Sequence, residues 1–197
     1  MADARTLLDL SGADMSPPSL SDAALLLIDL QNEYLQPPLQ IMTAEKAIAA
    51  TATLLTRARA AGSTIIHVAH KGRAGSLFDR DAYRGEIVTA LTPDQGESVI
   101  EKALPNAFAG TGLDAELKAA GRRELIITGF MTHMCVSSTA RAALDLGYRV
   151  TIDARCCGTR DLPDGRGGVV AADLLNDVAL VELSDRFAVV TRDHDWS

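Results

Sequence analysis

The sequence predicts an α/β protein: a doubly wound, mostly parallel sheet with helices on both faces, in three layers. Three observations carry this. Short apolar or β-branched runs recur from residue 23 to residue 191, among them AALLLIDL, TIIHVA, LIITGF and FAVVT, and such runs favour buried strands. Between them lie small-residue stretches of helical period that stop at glycines, as at Gly62, Gly121 and Gly147. Strands separated by helices at regular intervals need crossover connections, and these give parallel strands covered on both faces.

Taken in order, residues 1–20 form a lead-in before a single domain at 21–197. Within the lead-in, residues 5–10 read as a helical turn or edge segment and 16–19, with two prolines, as a loop; whether it packs on the body is left open. Residues 23–30 are an almost continuous apolar run, the signature of a strand buried on both faces, broken by Asp29. QNEY follows, and Pro37 and Pro38 mark a loop. Residues 43–61 are an alanine-rich helix and 64–69 the second strand. The stretch 71–95 is irregular, with scattered glycines and room for one helical turn; an insertion of that length is usually functional or mobile. A short strand at 98–100, a turn at 106–112 and a helix at 113–120 follow. The strand 125–128 is closed by Gly129, and a helix beginning near Cys135 ends at Gly147. Residues 148–152 are the next strand, opening into a second glycine-rich loop at 153–168. Residues 169–183 are mostly helical and 187–191 are the last strand.

With 197 residues, 47% of them apolar, the chain can bury a sizeable core. A formal charge of −7 without a lysine or arginine cluster argues against nucleic acid or an anionic membrane as partner, since both need a basic face. No leader pattern and no apolar run near 18 residues is seen, which predicts a soluble, cytoplasmic protein. The three cysteines, two of them adjacent at 156 and 157, make neither a disulfide framework nor a zinc spacing. The phosphate-cradling GxGxxG and GxxxxGK[ST] runs are missing, so no nucleotide cofactor is expected.

Sheets of this kind bind ligands at the carboxyl ends of their strands. Asp29 ends the first strand, Lys102 follows the third, Cys135 follows the fourth and the loop 153–168 follows the fifth. Singly, each has an ordinary reading: Asp29 as the cap of a turn, Lys102 as a surface lysine, Cys135 as an inert core thiol. Together they make a reaction centre. Near a helix N-terminus, free N–H groups and the helix dipole favour a thiolate. An aspartate can take the thiol proton and return it to a leaving amine, while an ammonium supports the developing negative charge.

These segments resemble the isochorismatase-like cysteine hydrolases, which include nicotinamidases and N-carbamoylsarcosine amidohydrolases, over roughly residues 20–192. LLLIDLQNEY is similar to that family's first strand with its aspartate at Asp29, VIEKALPNAFAGTGLDAEL to its lysine segment with Lys102, and LIITGFMTHMCVSSTARAALDLGYRV to its nucleophile segment with Cys135. The G-x-x-T-x-x-C-V run followed by T-A-R is the specific part. The resemblance implies an Asp29–Lys102–Cys135 triad, a cis peptide bond between Phe130 and Met131, and an oxyanion hole made by the N–H groups of Met131 and Cys135. It further implies two-step hydrolysis through a thioester, with no cofactor, and a dimer or tetramer for which the helices near 136–146 and 169–183 could serve.

In its metal-binding residues the sequence departs from the nicotinamidases. Those carry an Asp-x-His pair after the second strand; here the segment is HVAHKGRAGS, so no metal is expected. His67 reads as a buried structural histidine, and His70, at the strand exit, as a candidate for touching substrate. Tyr34, Phe78, Phe108, Phe130 and His133 are candidate pocket walls, fitting a flat or cyclic amide, lactam or carbamoyl compound. Thr132 and Thr159 serve backbone geometry, with Thr159 beside the pocket, and Cys156 and Cys157 line it or pack. Vinyl-ether hydrolysis led by Asp29 is the alternative; a dicarboxylate substrate for it would draw on Arg73, Arg155 or Arg160, each of which taken singly is a solvated surface arginine. A noncatalytic binding protein would be expected to lose one of the trio. A thiol redox enzyme would want a resolving cysteine near Cys135.

Overall fold

The computed structural model describes residues 3–196; Met1, Ala2 and Ser197 of the expected lead-in and tail lie outside them. A short helix α1 (Leu7–Leu10) precedes β1 (Ala23–Ile28), all six residues of which are buried. Then come α2 (Ala44–Ala60), β2 (Thr64–His70), β3 (Ser98–Lys102), α3 (Leu113–Ala119), β4 (Glu124–Phe130), α4 (Ser137–Asp145) and β5 (Arg149–Gly158). A two-residue hairpin, β6 (Leu162–Pro163) and β7 (Val169–Val170), leads into α5 (Ala172–Arg186) and β8 (Val189–Thr191).

Six strands form one sheet in the order β3-β2-β1-β4-β5-β8, and every pair in it is parallel. The chain winds outward from β1 to β3, returns to β4 on the other side of β1, and winds out again. The carboxyl ends of β1 and β4 therefore flank the point where the winding reverses, where such sheets open a crevice. On one face, α2 buries Ala47, Ile48, Leu54, Leu55 and Ala58 with Leu25, Leu27 and Trp196. On the other, Leu117 of α3, Ala140 and Ala143 of α4 and Leu183 of α5 pack with Leu26, Ile127 and Ile152.

Several local expectations change. Gly129 does not close β4, which runs on to Phe130. Its register partner is Ile28, its φ is +123°, and a Cβ there would lie 1.9 Å from the Ile28 carbonyl oxygen. Only glycine lets the two backbones approach this closely at the catalytic end. β5 likewise reaches Gly158, well into the stretch expected to be loop. A register shift between Ile127 and Gly129 lets Cys157 and Gly158 pair with Gly129 and Phe130. The buried Asp153 within that stretch is held by Arg155 at 2.7 Å and by the Trp196 indole N–H at 2.7 Å, so the polar tail is tied down by its tryptophan. Residues 169–170 are strand rather than helix, and Phe187 and Ala188 precede β8.

The lead-in packs on the body: the Leu7 N–H donates to Asp185 of α5 at 2.9 Å and Arg149 donates to the Asp14 carbonyl at 3.0 Å. The irregular stretch after β2 carries two 3-10 turns, Tyr83–Gly85 and Thr89–Leu91, and a bridge between Gln31 and Ile87. Among the described residues, no helix is long and apolar enough to cross a membrane.

Candidate active site

Three strand ends bring the trio together. Asp29 follows β1 with φ +50°, a conformation uncommon outside glycine, asparagine and aspartate, and its N–H donates to the Val68 carbonyl at 2.8 Å. Its side chain does not cap the turn that follows; the Gln31 N–H is taken by the Asp29 main-chain carbonyl. Lys102 is the last residue of β3 and pairs in register with His70, the last residue of β2. Far from being a surface lysine, it is 2% exposed. Its ammonium lies 2.7 Å from Asp29 Oδ2, 3.3 Å from His70 Nδ1 and 3.4 Å from Cys135 Sγ. Those three contacts match the three donors of an ammonium.

The other carboxylate oxygen, Asp29 Oδ1, is buried with no hydrogen-bond partner. The Asp29 carboxyl is raised from its ordinary value by burial, against the pull of Lys102 and, less, of Cys135. Burial, reinforced by the Asp29 charge and opposed by Lys102, pushes the Cys135 thiol up to about 12. Burial and the Asp29 charge thus oppose the thiolate expected from a helix N-terminus. Two local facts account for this. Cys135 is 4% exposed beside a carboxylate, and it sits inside a single wide π turn, Thr132–Val136, ahead of α4 rather than on the first turn of a regular helix. The peptide bond between Phe130 and Met131 is cis. The nucleophile turn is fastened by Thr132 Oγ1 to Asn176 of α5 at 2.6 Å and by His133 Nδ1 to Thr159 Oγ1 at 2.5 Å.

Aromatic rings stand over this centre. Phe78 lies 4.9 Å from the His70 ring and 5.3 Å from Tyr34, and Tyr34 meets Phe130 edge-on at 5.5 Å. The Tyr34 phenol is pushed well up by burial, then by the charges of Asp29 and Cys135. Burial, then Lys102, pulls His70 down to about 4, leaving its imidazole neutral and able to accept from the ammonium. Phe108 is not part of this wall. Its ring stacks on Tyr148 at 5.7 Å, ahead of the amino end of β5, so it is removed from the candidate pocket. Cys156 and Cys157 are both buried and packed in the two core clusters.

His67 and His70, three apart on one strand, point to opposite faces. His67 is 1% exposed and bonds Glu97 at 2.8 Å, and Arg59 adds a second contact to Glu97 at 2.7 Å. Burial lowers the His67 pKa despite Glu97, so this is a hydrogen bond from a neutral ring. Burial alone would raise Glu97, but Arg59, the Asp94 N–H and His67 hold it at about 2 instead of its usual 4.5. Its folded value lies below the unfolded one, so its contribution is complete above about 4.5 and is lost as pH falls toward 2. We expect stability to drop across that window by about 1–2 kcal/mol after solvent screening at this part-exposed site, and Glu97→Gln to flatten the drop in denaturant titrations. An unchanged profile in the variant would reject the assignment.

Sequence reasoning missed two supporting residues. Gln31, fully buried, donates to the His70 carbonyl at 3.0 Å and the Gly85 carbonyl at 2.7 Å, and accepts from the His70 N–H at 2.8 Å. Glu33, 1% exposed, accepts from the Phe78 N–H at 3.0 Å and from Arg84 at 2.9 Å. Together they fix the carboxyl end of β2 and the Phe78 segment, which itself has φ +60°. The signal was present as the run QNEY: polar residues continuing directly from a strand buried on both faces must be satisfied inside.

A family model described as the isochorismatase domain matches residues 23–195. The chain is 37% identical to a secreted isochorismatase effector of Verticillium dahliae, over 93% of this chain and 95% of that protein. It is 34% identical to a streptothricin hydrolase of Streptomyces noursei over 84% of this chain, but spans only 57% of that relative. Among solved structures, an isochorismatase of Pseudomonas putida superposes with a TM-score of 0.92 at 41% identity, covering 96% of this chain and 97% of its own.

Proposed function

The chain belongs to the isochorismatase-like cysteine hydrolase superfamily, and from that premise we propose that it cleaves a C–N bond of a small amide, cyclic amide or carbamoyl compound through a thioester on Cys135. One observation carries the reading: a single buried ammonium, Lys102 Nζ, lies within 2.7 Å of a carboxylate and 3.4 Å of a thiol. In the first half-reaction the unpartnered Oδ1 of Asp29 takes the Cys135 proton as Sγ attacks the carbonyl carbon. Lys102 opposes the charge that builds on sulfur, which a thiol with a pKa of about 12 needs. The N–H groups of Met131 and Cys135 hold the tetrahedral oxyanion. Asp29 then protonates the departing nitrogen. In the second half-reaction it takes a proton from water, the hydroxide attacks the thioester, and the acid leaves as Cys135 regains its proton. Tyr34, Phe78, Phe130 and His70 form the proposed apolar wall, with His133 and Thr159 opposite.

The test is ammonia release from a panel of small amides, carbamoyl compounds and cyclic amides, with and without chelator. Turnover that survives chelation supports a metal-independent amidohydrolase. Silence over the panel from folded protein would favour ring opening without ammonia release. It would equally favour the second reading, vinyl-ether hydrolysis led by Asp29, which the name of the Verticillium dahliae relative brings forward.

We propose that residues 21–197 act as one domain and that it self-associates. Leu174, Val178 and Val181 of α5, spaced four and three apart and more than half exposed, offer an apolar stripe for a second copy. Sedimentation as a dimer or larger species is expected, and a monomer at micromolar concentration would count against it.

A further inference from the structure

Of the three acceptors around the Lys102 ammonium, one lies outside the trio. It is His70, whose Nδ1 is 3.3 Å from Nζ, against 2.7 Å for Asp29 Oδ2 and 3.4 Å for Cys135 Sγ. An ammonium can only donate, so His70 Nδ1 accepts there with its lone pair. The Lys102 side chain is fully buried, and a proton that lost its acceptor in such a place would go unsatisfied.

The imidazole is held where this contact needs it. Gln31 takes the His70 N–H at 2.8 Å and donates to the His70 carbonyl at 3.0 Å. The Phe78 ring packs on the imidazole at 4.9 Å, and the Phe78 N–H is itself tied to Glu33 at 3.0 Å. His70 and Lys102 end neighbouring strands as register partners, so their side chains share one face of the sheet. The other ring nitrogen, Nε2, has no partner among the described residues and is not buried. Nothing therefore competes with Lys102 in choosing the tautomer, and the neutral ring carries its proton on Nε2. Burial, then the Lys102 charge, disfavours a second proton.

We propose that His70 is a positioning residue that accepts one proton of Lys102 through Nδ1 and so aims the other two at Asp29 and Cys135. Every donor of Lys102 is then committed within the protein, and its charge acts on the sulfur rather than on the substrate oxygen. This deepens the proposed function, and the effect on the sulfur rests on Cys135 being its reactive thiol.

Two measurements on the whole protein test it. Long-range proton–nitrogen correlation spectra report the tautomers of the four histidines, with the His70 signals identified by their loss in His70→Asn. The expected state at neutral pH is a bare Nδ1 and a protonated Nε2; a proton on Nδ1 would overturn the proposal whatever Cys135 does. The second reads the rate of iodoacetamide alkylation at Cys135 by peptide mass, with melting temperature confirming that each variant is folded. His70→Leu, which keeps the packing on Phe78 but has no acceptor, should slow alkylation by about tenfold or more. His70→Asn, whose amide oxygen can accept in place of Nδ1, should restore the rate to within about threefold of wild type. A wild-type rate in His70→Leu, or equal slowing in both variants, would overturn the positioning role and leave the thiol reading standing. No alkylation of Cys135 in the wild type would overturn that thiol reading, and the effect of His70 on the sulfur with it.

Discussion

Cys135→Ala is expected to abolish turnover, by on the order of 10⁴-fold or more in kcat on any amide that the panel identifies, while the protein stays folded. The thiol lies 3.4 Å from the Lys102 ammonium, which also pairs with Asp29 at 2.7 Å, so removing the sulfur leaves the Asp29–Lys102 pair intact. Retention of the melting temperature together with loss of activity separates chemistry from folding. Wild-type activity in the variant would transfer the reaction to Asp29 and favour the ether reading.

The second large effect is on stability as well as rate. Lys102→Met leaves Asp29 as a fully buried carboxyl with no counterion. Breaking a buried pair from one side costs about 3–5 kcal/mol. The pH dependence has a definite sign. Without Lys102 the folded pKa of Asp29 lies still further above the unfolded one, so the neutral acid is tolerated at low pH and the loss grows as pH rises. The destabilisation measured in denaturant should therefore be larger near about pH 8 than near about pH 4. Asp29→Asn/Lys102→Met, which removes both charges, should recover much of the stability and none of the activity. Equal destabilisation at both pH values would mean that Asp29 is not the group left exposed to the loss.

The sheet was legible because β1 and β4 declare themselves in apolar runs and the helices α2, α3 and α4 are followed by Gly62, Gly121 and Gly147. The meeting of Asp29, Lys102 and Cys135 was legible too, once all three fell at carboxyl ends of parallel strands. What could not be read locally is what distant residues impose. β5 looks like a loop past residue 152 because its polar and small residues are satisfied by partners far away, Asp153 by Trp196 and Gly158 by the ring of Phe130. Lys102 looks like a surface residue because β3 is an edge strand of alternating exposure, and Lys102 continues its inward-facing set after Ser98 and Ile100. Phe108 was assigned to the pocket from its place after β3, but the ring of Tyr148 holds it elsewhere. The protonation of Cys135 depends on burial and on Asp29 together, and neither is visible in the sequence around it.

The most direct test of the central claim is the intact mass of the protein quenched in acid during turnover of a substrate from the panel. The account predicts an acyl adduct confined to the peptide containing Cys135, gained within one turnover, absent in Cys135→Ala and released as the free acid. Turnover with no adduct in wild type, and undiminished turnover in Cys135→Ala, would contradict it.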